Sequence, residues 1–288
     1  MNVLSIQSHV AYGYVGNRAA VFPLQRLGFD VWAINTVQFS NHTGYGAWTG
    51  EVFSPTHVRD LVDGIAARGV LGQCDAVLTG YLGDAALGEA VLEAVARVRA
   101  ANPKAIYCCD PVMGDVGRGM FVRPGIPAMF AERIVPQADI VTPNQFELEF
   151  LAGGAIATLA DALKAAAAVL RRGPRIVLVT SLLRNDAAPG TIEMLAATAE
   201  ANWLVATPRF DFAVAPNGSG DTVAALFLAH LLRGHSVSQA LEGAAAGICA
   251  VMEETARQGS RELALIATQD RLAAPQRPFK ARRLEGQA

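Results

Sequence analysis

The sequence predicts an α/β fold in which a central, mostly parallel β-sheet is covered by helices on both faces. Short apolar runs alternate with longer helical segments along the 288 residues. The short runs are apolar nearly throughout, which is typical of strands that are buried on both faces. Because 52% of the residues are hydrophobic, the chain can fill a large core, and we expect a single domain over residues 1–288.

The short apolar runs are the predicted strands. They are Val3–Gln7, Val31–Val37, Ala76–Thr79, Ala105–Cys109, Ile140–Thr142 and Ile176–Thr180, followed by a predicted hairpin of Thr191–Thr198 and Asn202–Thr207. The predicted helices are Asn17–Leu27, Pro55–Arg68, Ala85–Ala100, Pro127–Val135, Gln145–Leu151, Leu159–Arg171, Thr222–Leu232 and Ser236–Thr255. Strands that alternate with helices predict a parallel sheet, and such sheets bind ligands at the carboxyl ends of their strands.

Composition and charge argue against several classes of protein. The formal net charge of −2 gives no basic surface for nucleic acid. No apolar run is long enough to span a membrane, and Met1–Ser8 has the pattern of a strand rather than of a signal peptide. We therefore expect a cytoplasmic protein with no nucleic-acid or membrane partner. The basic residues near the C-terminus, Lys280, Arg282 and Arg283, predict a frayed, solvated tail.

The cysteines and histidines form no metal-binding motif. The cysteines are Cys74, Cys108, Cys109 and Cys249. No CxxC pair occurs among them, which predicts buried thiols in a reducing compartment. His57, His230 and His235 have no partner cluster in the sequence and are predicted to be structural.

The segment Pro216–Phe227 is a glycine-containing turn that leads directly into an apolar helix. Gly218 and Gly220 allow the backbone to bend tightly and to approach a ligand closely. The helix start adds unpaired N–H groups and a partial positive charge, which together favour binding of an anion. Asp221 lies beside that turn, where its carboxylate could take a proton from an attacking hydroxyl. The segment therefore indicates phosphoryl transfer to an alcohol.

A simple helix cap is the alternative interpretation of this turn, because Ser, Asp and Gly are all common where helices begin. Two features favour the functional interpretation. The helix that follows is apolar on every side, which predicts a buried central helix. The turn also comes late in an α/β chain, where a helix can face the carboxyl ends of the strands.

Polar side chains follow several predicted strands. Asp110 and Asp115 flank a Pro- and Gly-containing turn, and Mg²⁺ favours one or two carboxylates together with phosphate oxygens. An Asp-capped turn explains this pattern equally well. Asn144 and Glu147 have the spacing of a capping box, with a place near the metal as the alternative for Glu147. The polar loop Gln38–Gly46 is either a plain loop or a site for a small, planar, polar ligand.

Seven segments resemble the pyridoxal kinase family, which belongs to the ribokinase-like superfamily. They are Ser5–Val10, Gly16–Ala20, Asn35–Tyr45, Leu78–Tyr81, Cys109–Asp115, Thr142–Glu147 and Gly218–Asp221. The match runs over nearly the whole chain. The Gly-x-Gly-Asp element is shared across the superfamily, whereas the first and third segments are specific to the pyridoxal branch.

The resemblance implies a ribokinase-like fold and ATP-dependent phosphorylation of the 5′-hydroxymethyl group of pyridoxal, with pyridoxine and pyridoxamine as further acceptors, in vitamin B6 salvage. It also implies Mg²⁺, K⁺ and a homodimer. A kinase of hydroxymethylpyrimidine or another small alcohol, and a non-catalytic B6-binding protein, remain as alternatives. Loss of the paired glycines and the aspartate would favour the latter, but Gly218, Gly220 and Asp221 are all present.

The resemblance also implies a role for each matched residue. Asp221 is the base and touches the substrate, and Gly218, Ser219 and Gly220 supply the amides of an anion hole. The remaining substrate-binding residues are Ser8, Thr43, Gly44 and Tyr81. The residues implied to hold ATP are Asp110, Thr142, Glu147, Thr180, Thr207, Pro208, Arg209 and Phe210, of which Asp110 and Glu147 also hold the metal. Some relatives carry lysine in place of Thr180.

Overall fold

A computed structural model describes residues 1–285 of the chain, and the expected domain end at residue 288 lies outside the described residues. The strands, named in chain order, are β1 (Asn2–Val10), β2 (Asp30–Phe39), β3 (Gly50–Val52), β4 (Cys74–Thr79), β5 (Ile106–Cys109), β6 (Gly114–Asp115), β7 (Gly119–Met120), β8 (Ile140–Val141), β9 (Ile176–Leu182), β10 (Thr191–Ala197), β11 (Asn202–Pro208) and β12 (Arg282–Leu284).

Ten of these strands form one sheet in the order β12-β11-β10-β9-β8-β5-β4-β1-β2-β3. The six strands from β9 to β2 pair in parallel. Strand β3 pairs antiparallel at one edge, and β10, β11 and β12 do so at the other. The predicted mostly parallel sheet is therefore confirmed. Strands β6 and β7 form a separate small hairpin.

The helices are α1 (Asn17–Arg26), α2 (Pro55–Ala66), α3 (Leu87–Ala101), α4 (Ile126–Ala128), α5 (Gln145–Ala152), α6 (Leu159–Leu170), α7 (Ser219–Leu232), α8 (Val237–Gln258) and α9 (Gln269–Ala273). Helix α4 continues into a π-helical turn, Met129–Ile134, and short 3₁₀ turns occupy Thr43–Tyr45, Leu71–Gln73 and Val135–Gln137. Among residues 1–285, no helix is both long and apolar enough to cross a membrane.

The two faces of the sheet bury separate hydrophobic clusters. Helices α2, α3, α5 and α6 pack on one face, where β1 contributes Leu4 and Ile6. Helices α1, α7 and α8 pack on the other face, where β1 contributes Val3. Successive side chains of a strand point to opposite faces, so β1 supplies apolar residues to both clusters. This explains why the sequence of the central strands is apolar nearly throughout.

Helix α7 is buried on all sides, as the sequence predicted. Its residues from Thr222 to His230 are all buried, and Phe227 has no exposed surface. The helix lies between the sheet, α1 and α8. It begins at Ser219 rather than at Thr222, because Gly218 adopts a left-handed conformation and caps it. Ser219, Gly220 and Asp221 therefore form the first turn of this packed helix.

The predicted frayed tail is wrong. Arg282–Leu284 forms β12, which pairs with β11 at the edge of the sheet, and Leu284 is buried. Lys280 forms an ion pair with Glu242 of α8, with 3.3 Å between Nζ and Oε2. The backbone pairing and this apolar contact hold the segment, and its basic side chains point away from the core.

Two of the three histidines that were predicted to be structural, His230 and His235, contact each other. His230 ends the buried part of α7, and His235 follows the turn at Gly234. Their rings stack with centroids 5.2 Å apart, and their Nδ1 atoms lie 3.2 Å from each other. The chain reversal between α7 and α8 brings the two imidazoles together. The four cysteines are all buried and free, as predicted.

We expect Phe227→Ala to lower the free energy of unfolding by about 3–5 kcal/mol, because it leaves a cavity under a fully buried ring. The matched control is Phe150→Ala on α5, where 42% of the residue is exposed, and we expect a change within about 1 kcal/mol. Urea denaturation measures both. Equal losses in the two variants would contradict the central position of α7.

Candidate active site

Three carboxylates converge where the carboxyl edge of the sheet meets the start of α7. Asp110 directly follows β5, Glu147 lies in the first turn of α5, and Asp221 lies in the first turn of α7. A Cβ atom placed on Gly220 would lie 3.9 Å from Asp110 Oδ2, so the helix start and β5 are in direct contact. The topology thus brings together residues that are up to 111 positions apart in the sequence.

The carboxylate of Asp221 is largely enclosed by protein. Part of its surface is accessible, but the surrounding protein removes water from the carboxylate and raises its pKa to about 6. The backbone amides of Gly16 and of Asp221 itself face the carboxylate and oppose this shift. A group with a pKa near 6 is ionised at neutral pH and can still accept a proton.

Gly16 connects Asp221 to the end of β1. Its φ is 54°, a left-handed value that favours glycine, and a Cβ atom there would collide with the carbonyl oxygen of Ser8. The predicted base and the predicted substrate residue Ser8 are therefore brought together by one glycine. Gly16 lies in one of the seven segments that resemble the pyridoxal kinase family, but no role was predicted for it.

The start of α7 presents free amides. The first amide that bonds within the helix is that of Thr222, which donates to the carbonyl of Gly218 over 3.0 Å. The amides of Ser219 and Gly220 come before it and have no acceptor in the helix. Gly218 has a φ of 89°, and a Cβ atom there would collide with the carbonyl oxygen of Tyr14. This close packing fixes the direction in which the helix start points.

Asp110 is buried next to Thr142. The hydroxyl of Thr142 donates to Asp110 Oδ1 over 3.1 Å, and both residues are almost fully buried. Burial raises the pKa of Asp110 well above its usual range, and the carboxylates of Glu147 and Asp221 raise it further. The Asp110 carboxyl therefore lies close to two other carboxylates, and a cation bound there would reduce the repulsion between them.

Glu147 completes the capping box that its spacing predicted. Its Oε2 accepts the amide of Asn144 over 2.9 Å, and Asn144 Oδ1 accepts the amide of Glu147 over 3.0 Å. Its Oε1 accepts the amide of Met113 over 2.8 Å, which ties the turn after β5 to α5. Burial raises the pKa of Glu147 to about 8 in spite of these bonds. Asp115 caps its own turn by accepting the amide of Val116 over 2.8 Å.

The polar loop after β2 contains the 3₁₀ turn Thr43–Tyr45, capped by His42. His42 Nδ1 accepts the amide of Gly44 over 3.0 Å, and the carbonyl of Gly44 accepts from Arg261 over 2.6 Å. Both backbone groups of Gly44 are thus engaged in shaping the loop. Burial, helped by the charges of Arg118 and Arg261, lowers the pKa of His42 to about 4, which keeps the imidazole neutral and able to accept.

The residues predicted to border the nucleotide lie along the same edge of the sheet. The amide of Thr180 in β9 donates to the carbonyl of Pro143 over 3.0 Å. Strand β11 runs in the same direction as β9, so its end at Thr207–Pro208 reaches that edge. The hydroxyl of Thr207 is buried and donates to the carbonyl of Ile192 over 3.4 Å. Arg209 and Phe210 follow immediately, and Arg209 donates through its amide to the Gly190 carbonyl.

Three charged residues at the site were missed by sequence reasoning. Arg118, in the β6–β7 hairpin, donates to Asn217 Oδ1 over 2.9 Å and borders Gly44. Its Gly-Arg-Gly context indicates a hairpin tip and could have drawn attention to it. Arg261 and Glu262 follow α8 and contact the loop after β2, a relation for which the sequence contains no local signal.

The comparisons with known proteins show the family of the chain. A model of the family described as phosphomethylpyrimidine kinase matches residues 33–265. The chain therefore belongs to this family of small-molecule kinases.

Individual relatives show which branch of this family the chain belongs to. The pyridoxal kinase PdxY of Rubrobacter xylanophilus is 60% identical over 285 residues, which cover 99% of this chain and 98% of that protein. That of Deinococcus radiodurans is 57% identical over 288 residues, covering 99% and 97%. The structure of pyridoxal kinase from Leishmania donovani in complex with ADP and pyridoxamine has a TM-score of 0.92 at 32% identity, with 99% of each chain covered. The chain belongs to the pyridoxal kinase family, as its motifs predicted.

We expect Asp221→Asn to be more stable than the wild type at pH 7.5, on the order of 1–2 kcal/mol. The folded-state pKa of about 6 exceeds the unfolded value near 4, so ionisation of Asp221 opposes folding above pH 6. The difference between the proteins should shrink as pH falls from 6 to 4, where both folded and unfolded states become protonated. Urea denaturation across this pH range measures it.

Asp161→Asn is the matched control. Asp161 caps α6, and the hydroxyl of Thr158 and nearby amides lower its pKa, so its charge favours the folded state. This variant should be less stable than the wild type at pH 7.5. A loss of stability in Asp221→Asn at that pH would contradict the conclusion that burial raises the pKa of Asp221.

Proposed function

We propose that the protein transfers the γ-phosphoryl group of ATP to the 5′-hydroxymethyl group of pyridoxal, giving pyridoxal 5′-phosphate in vitamin B6 salvage. The observation that carries this proposal is the position of Asp221, which lies at a free helix start beside Asp110 and next to Ser8. The Leishmania donovani relative, whose structure holds ADP and pyridoxamine, supports both the nucleotide and the class of acceptor.

Asp221 is the proposed base. The hydroxyl oxygen of the acceptor forms a bond to the γ-phosphorus, the bond from that phosphorus to the bridging oxygen breaks, ADP leaves, and the hydroxyl proton passes to Asp221. Phosphoryl transfer has a loose transition state in which a strong base is not needed. A carboxylate with a pKa near 6 is sufficient to orient the hydroxyl and to take its proton late.

The amides at Gly218, Ser219 and Gly220 are the proposed anion hole. They stabilise negative charge on the transferred phosphoryl group, and the chain has no P-loop lysine motif that would do so. Because Gly218 packs against the backbone of Tyr14, these amides are fixed before the substrate binds. A preorganised donor is worth more than one that must first be ordered.

Substrate contacts are proposed for Ser8, Thr43, Gly44 and Tyr81, which surround the end of β1 and the loop after β2. Ser8 is buried beside Gly16, and the carbonyl of Tyr81 is held by the hydroxyl of Thr36 over 2.7 Å. The residues Thr142, Thr180 and Thr207–Phe210 are proposed to border ATP, because they lie along the edge of the sheet that starts at Asp110.

The residues present fit a magnesium ion. Asp110 has Oδ2 free of the bond to Thr142, and Glu147 keeps lone pairs beyond its bonds to backbone amides. Both carboxylates have raised pKa values. A cation held by them would lower these pKa values, because a nearby positive charge favours the ionised form. Mg²⁺ favours one or two carboxylates together with phosphate oxygens, and Asp110 and Glu147 would supply the two carboxylates. Bound Mg²⁺ neutralises charge on the phosphates.

The buried, free cysteines fit a reducing compartment and support our proposal of a cytoplasmic protein. The family resemblance alone supports our proposal of a homodimer that uses K⁺ as well. The family description, phosphomethylpyrimidine kinase, favours hydroxymethylpyrimidine as the second candidate acceptor. Pyridoxal is the better candidate because the relatives at 57–60% identity are named pyridoxal kinases.

We expect Asp221→Ala to keep the dissociation constant for pyridoxal within about tenfold, or about 1.4 kcal/mol, while turnover falls by about 10²–10⁴-fold. Equilibrium dialysis without ATP measures binding, and coupled ADP release measures turnover. The control is Asp60→Ala on the exposed side of α2, which should retain wild-type turnover. Near-normal turnover in Asp221→Ala would remove this residue from the role of base.

We expect Asp110→Asn to raise the Mg²⁺ concentration that gives half-maximal turnover by about tenfold, because one of two proposed ligand carboxylates is lost. The control is Asp63→Asn, which changes an exposed carboxylate of α2 that pairs with Arg97. Titration of Mg²⁺ at fixed ATP measures both variants. An unchanged Mg²⁺ requirement in Asp110→Asn would contradict the proposed metal site.

A further inference from the structure

The segment after α8 reaches back to the loop that is proposed to bind substrate. Helix α8 ends at Gln258, and Gly259 caps it in a left-handed conformation. The chain then turns, with Ser260 Oγ donating to the carbonyl of Glu262 over 2.8 Å and accepting its amide over 3.0 Å. This tight turn directs the side chains of Arg261 and Glu262 toward the loop after β2, more than 200 positions earlier in the sequence.

The carboxylate of Glu262 joins two separate walls of the site. Its Oε1 accepts the hydroxyl of Tyr45, in the loop after β2, over 2.5 Å. Its Oε2 accepts the amide of Tyr14, in the connection from β1 to α1, over 3.0 Å. Gly13 has a φ of 93°, and a Cβ atom there would collide with this carboxylate, so the connection is shaped to receive it.

Arg261 adds a second attachment to the same loop. Its guanidinium donates to the carbonyl of Gly44 over 2.6 Å and lies 3.8 Å from the centre of the Tyr45 ring. The ring of Tyr12 meets Tyr45 edge-on, with 6.1 Å between centroids. Tyr45 is therefore held at its hydroxyl, at one face and at an edge, and Thr43 and Gly44 are held with it.

Both attachments lie on the acceptor side of the site. Tyr14 is two residues before Gly16, which faces Ser8 and Asp221, and Tyr45 is two residues after Thr43. The contacts of Glu262 involve Tyr45, Tyr14 and its own turn, and none of them is with the residues proposed to border the nucleotide. A hydrogen bond from a phenol to a carboxylate is among the stronger kinds, so its loss should loosen the loop measurably.

We propose that Glu262 is a positioning residue that holds the loop bearing Thr43 and Gly44 against the connection from β1 to α1, and thereby sets the affinity for the acceptor alcohol. This inference rests on the proposed function, because it assumes that this loop binds the acceptor. Glu262 acts on this loop through Tyr45. Its bond to the Tyr14 amide reaches the backbone that also packs against Gly218, and Tyr45→Phe leaves that second bond intact.

The test is a double-mutant cycle of Glu262→Gln and Tyr45→Phe. Glu262→Gln keeps the shape of the side chain and removes its charge, and Tyr45→Phe removes only the hydroxyl. We expect each single variant to raise the KM for pyridoxal by about tenfold, with kcat and the KM for ATP within twofold of the wild type. The double variant should resemble Tyr45→Phe alone, because Glu262→Gln weakens and Tyr45→Phe removes the same charge-assisted hydrogen bond.

The control is Glu253→Gln, the same change on the exposed surface of α8, where the carboxylate pairs with Arg271. It should leave all three kinetic constants at wild-type values. An unchanged KM for pyridoxal in both single variants, or fully additive effects in the double variant, would overturn the inference. So would equal rises in KM for pyridoxal and for ATP, which indicate a general loss of structure.

Equilibrium dialysis of pyridoxal without ATP separates this inference from the proposed function. Wild-type protein that binds pyridoxal but does not phosphorylate it would overturn the proposed function alone. In that case the dissociation constants of the same variants still decide the role of Glu262. A tenfold rise in the dissociation constant supports it, and an unchanged constant overturns it. Wild-type protein that does not bind pyridoxal would overturn both.

Discussion

The burial of three carboxylates at the start of one helix is the constraint on which the rest of the site depends. Burial raises the pKa values of Asp110, Glu147 and Asp221, and the charges of Glu147 and Asp221 raise that of Asp110 further. Each of these effects opposes folding at neutral pH. The core must therefore offset this unfavourable energy. Helix α7 does so, because it is buried from Thr222 to His230 and its position is fixed by contacts on all sides.

The same crowding is useful once substrates are considered. Catalytic residues often lower the stability of the protein that carries them, because they are arranged for the reaction rather than for folding. In the proposed function, the free amides at Ser219 and Gly220 would bind a phosphoryl group and the buried carboxylates would bind a cation. The substrates would then balance charges that the protein alone leaves unbalanced. Local glycines, above all Gly16 and Gly218, allow the backbones to approach closely enough for this.

Much of the fold was predictable because its signals are local. Continuous apolar runs identified the parallel strands, the all-round apolar pattern identified α7 as a central helix, and the spacing of Asn144 and Glu147 identified a capping box. The carboxyl-edge rule for parallel sheets then placed Asp110 and Asp221 at one site. The start of α7 was placed three residues late, because a left-handed Gly218 lets the helix begin inside the glycine turn.

What the sequence did not predict depends on contacts between distant segments. The pairing of Arg282–Leu284 with β11 depends on an open sheet edge, which no property of those basic residues indicates. The stacking of His230 on His235 depends on the direction in which the chain turns between two helices. The bond from Tyr45 to Glu262 spans 217 positions. Such pairs are visible only when the sheet order and helix packing are known.

The proposed phosphorylation of pyridoxal is tested most directly by a competition between two acceptor alcohols. Purified protein with ATP, Mg²⁺ and K⁺ is given pyridoxal and hydroxymethylpyrimidine together, and both phosphorylated products are quantified over time. The ratio of the two kcat/KM values follows from the initial rates. We expect pyridoxal 5′-phosphate to form at least tenfold faster than phosphorylated hydroxymethylpyrimidine at equal acceptor concentrations. A preference for the pyrimidine, or ATP consumption that does not depend on pyridoxal, would contradict it.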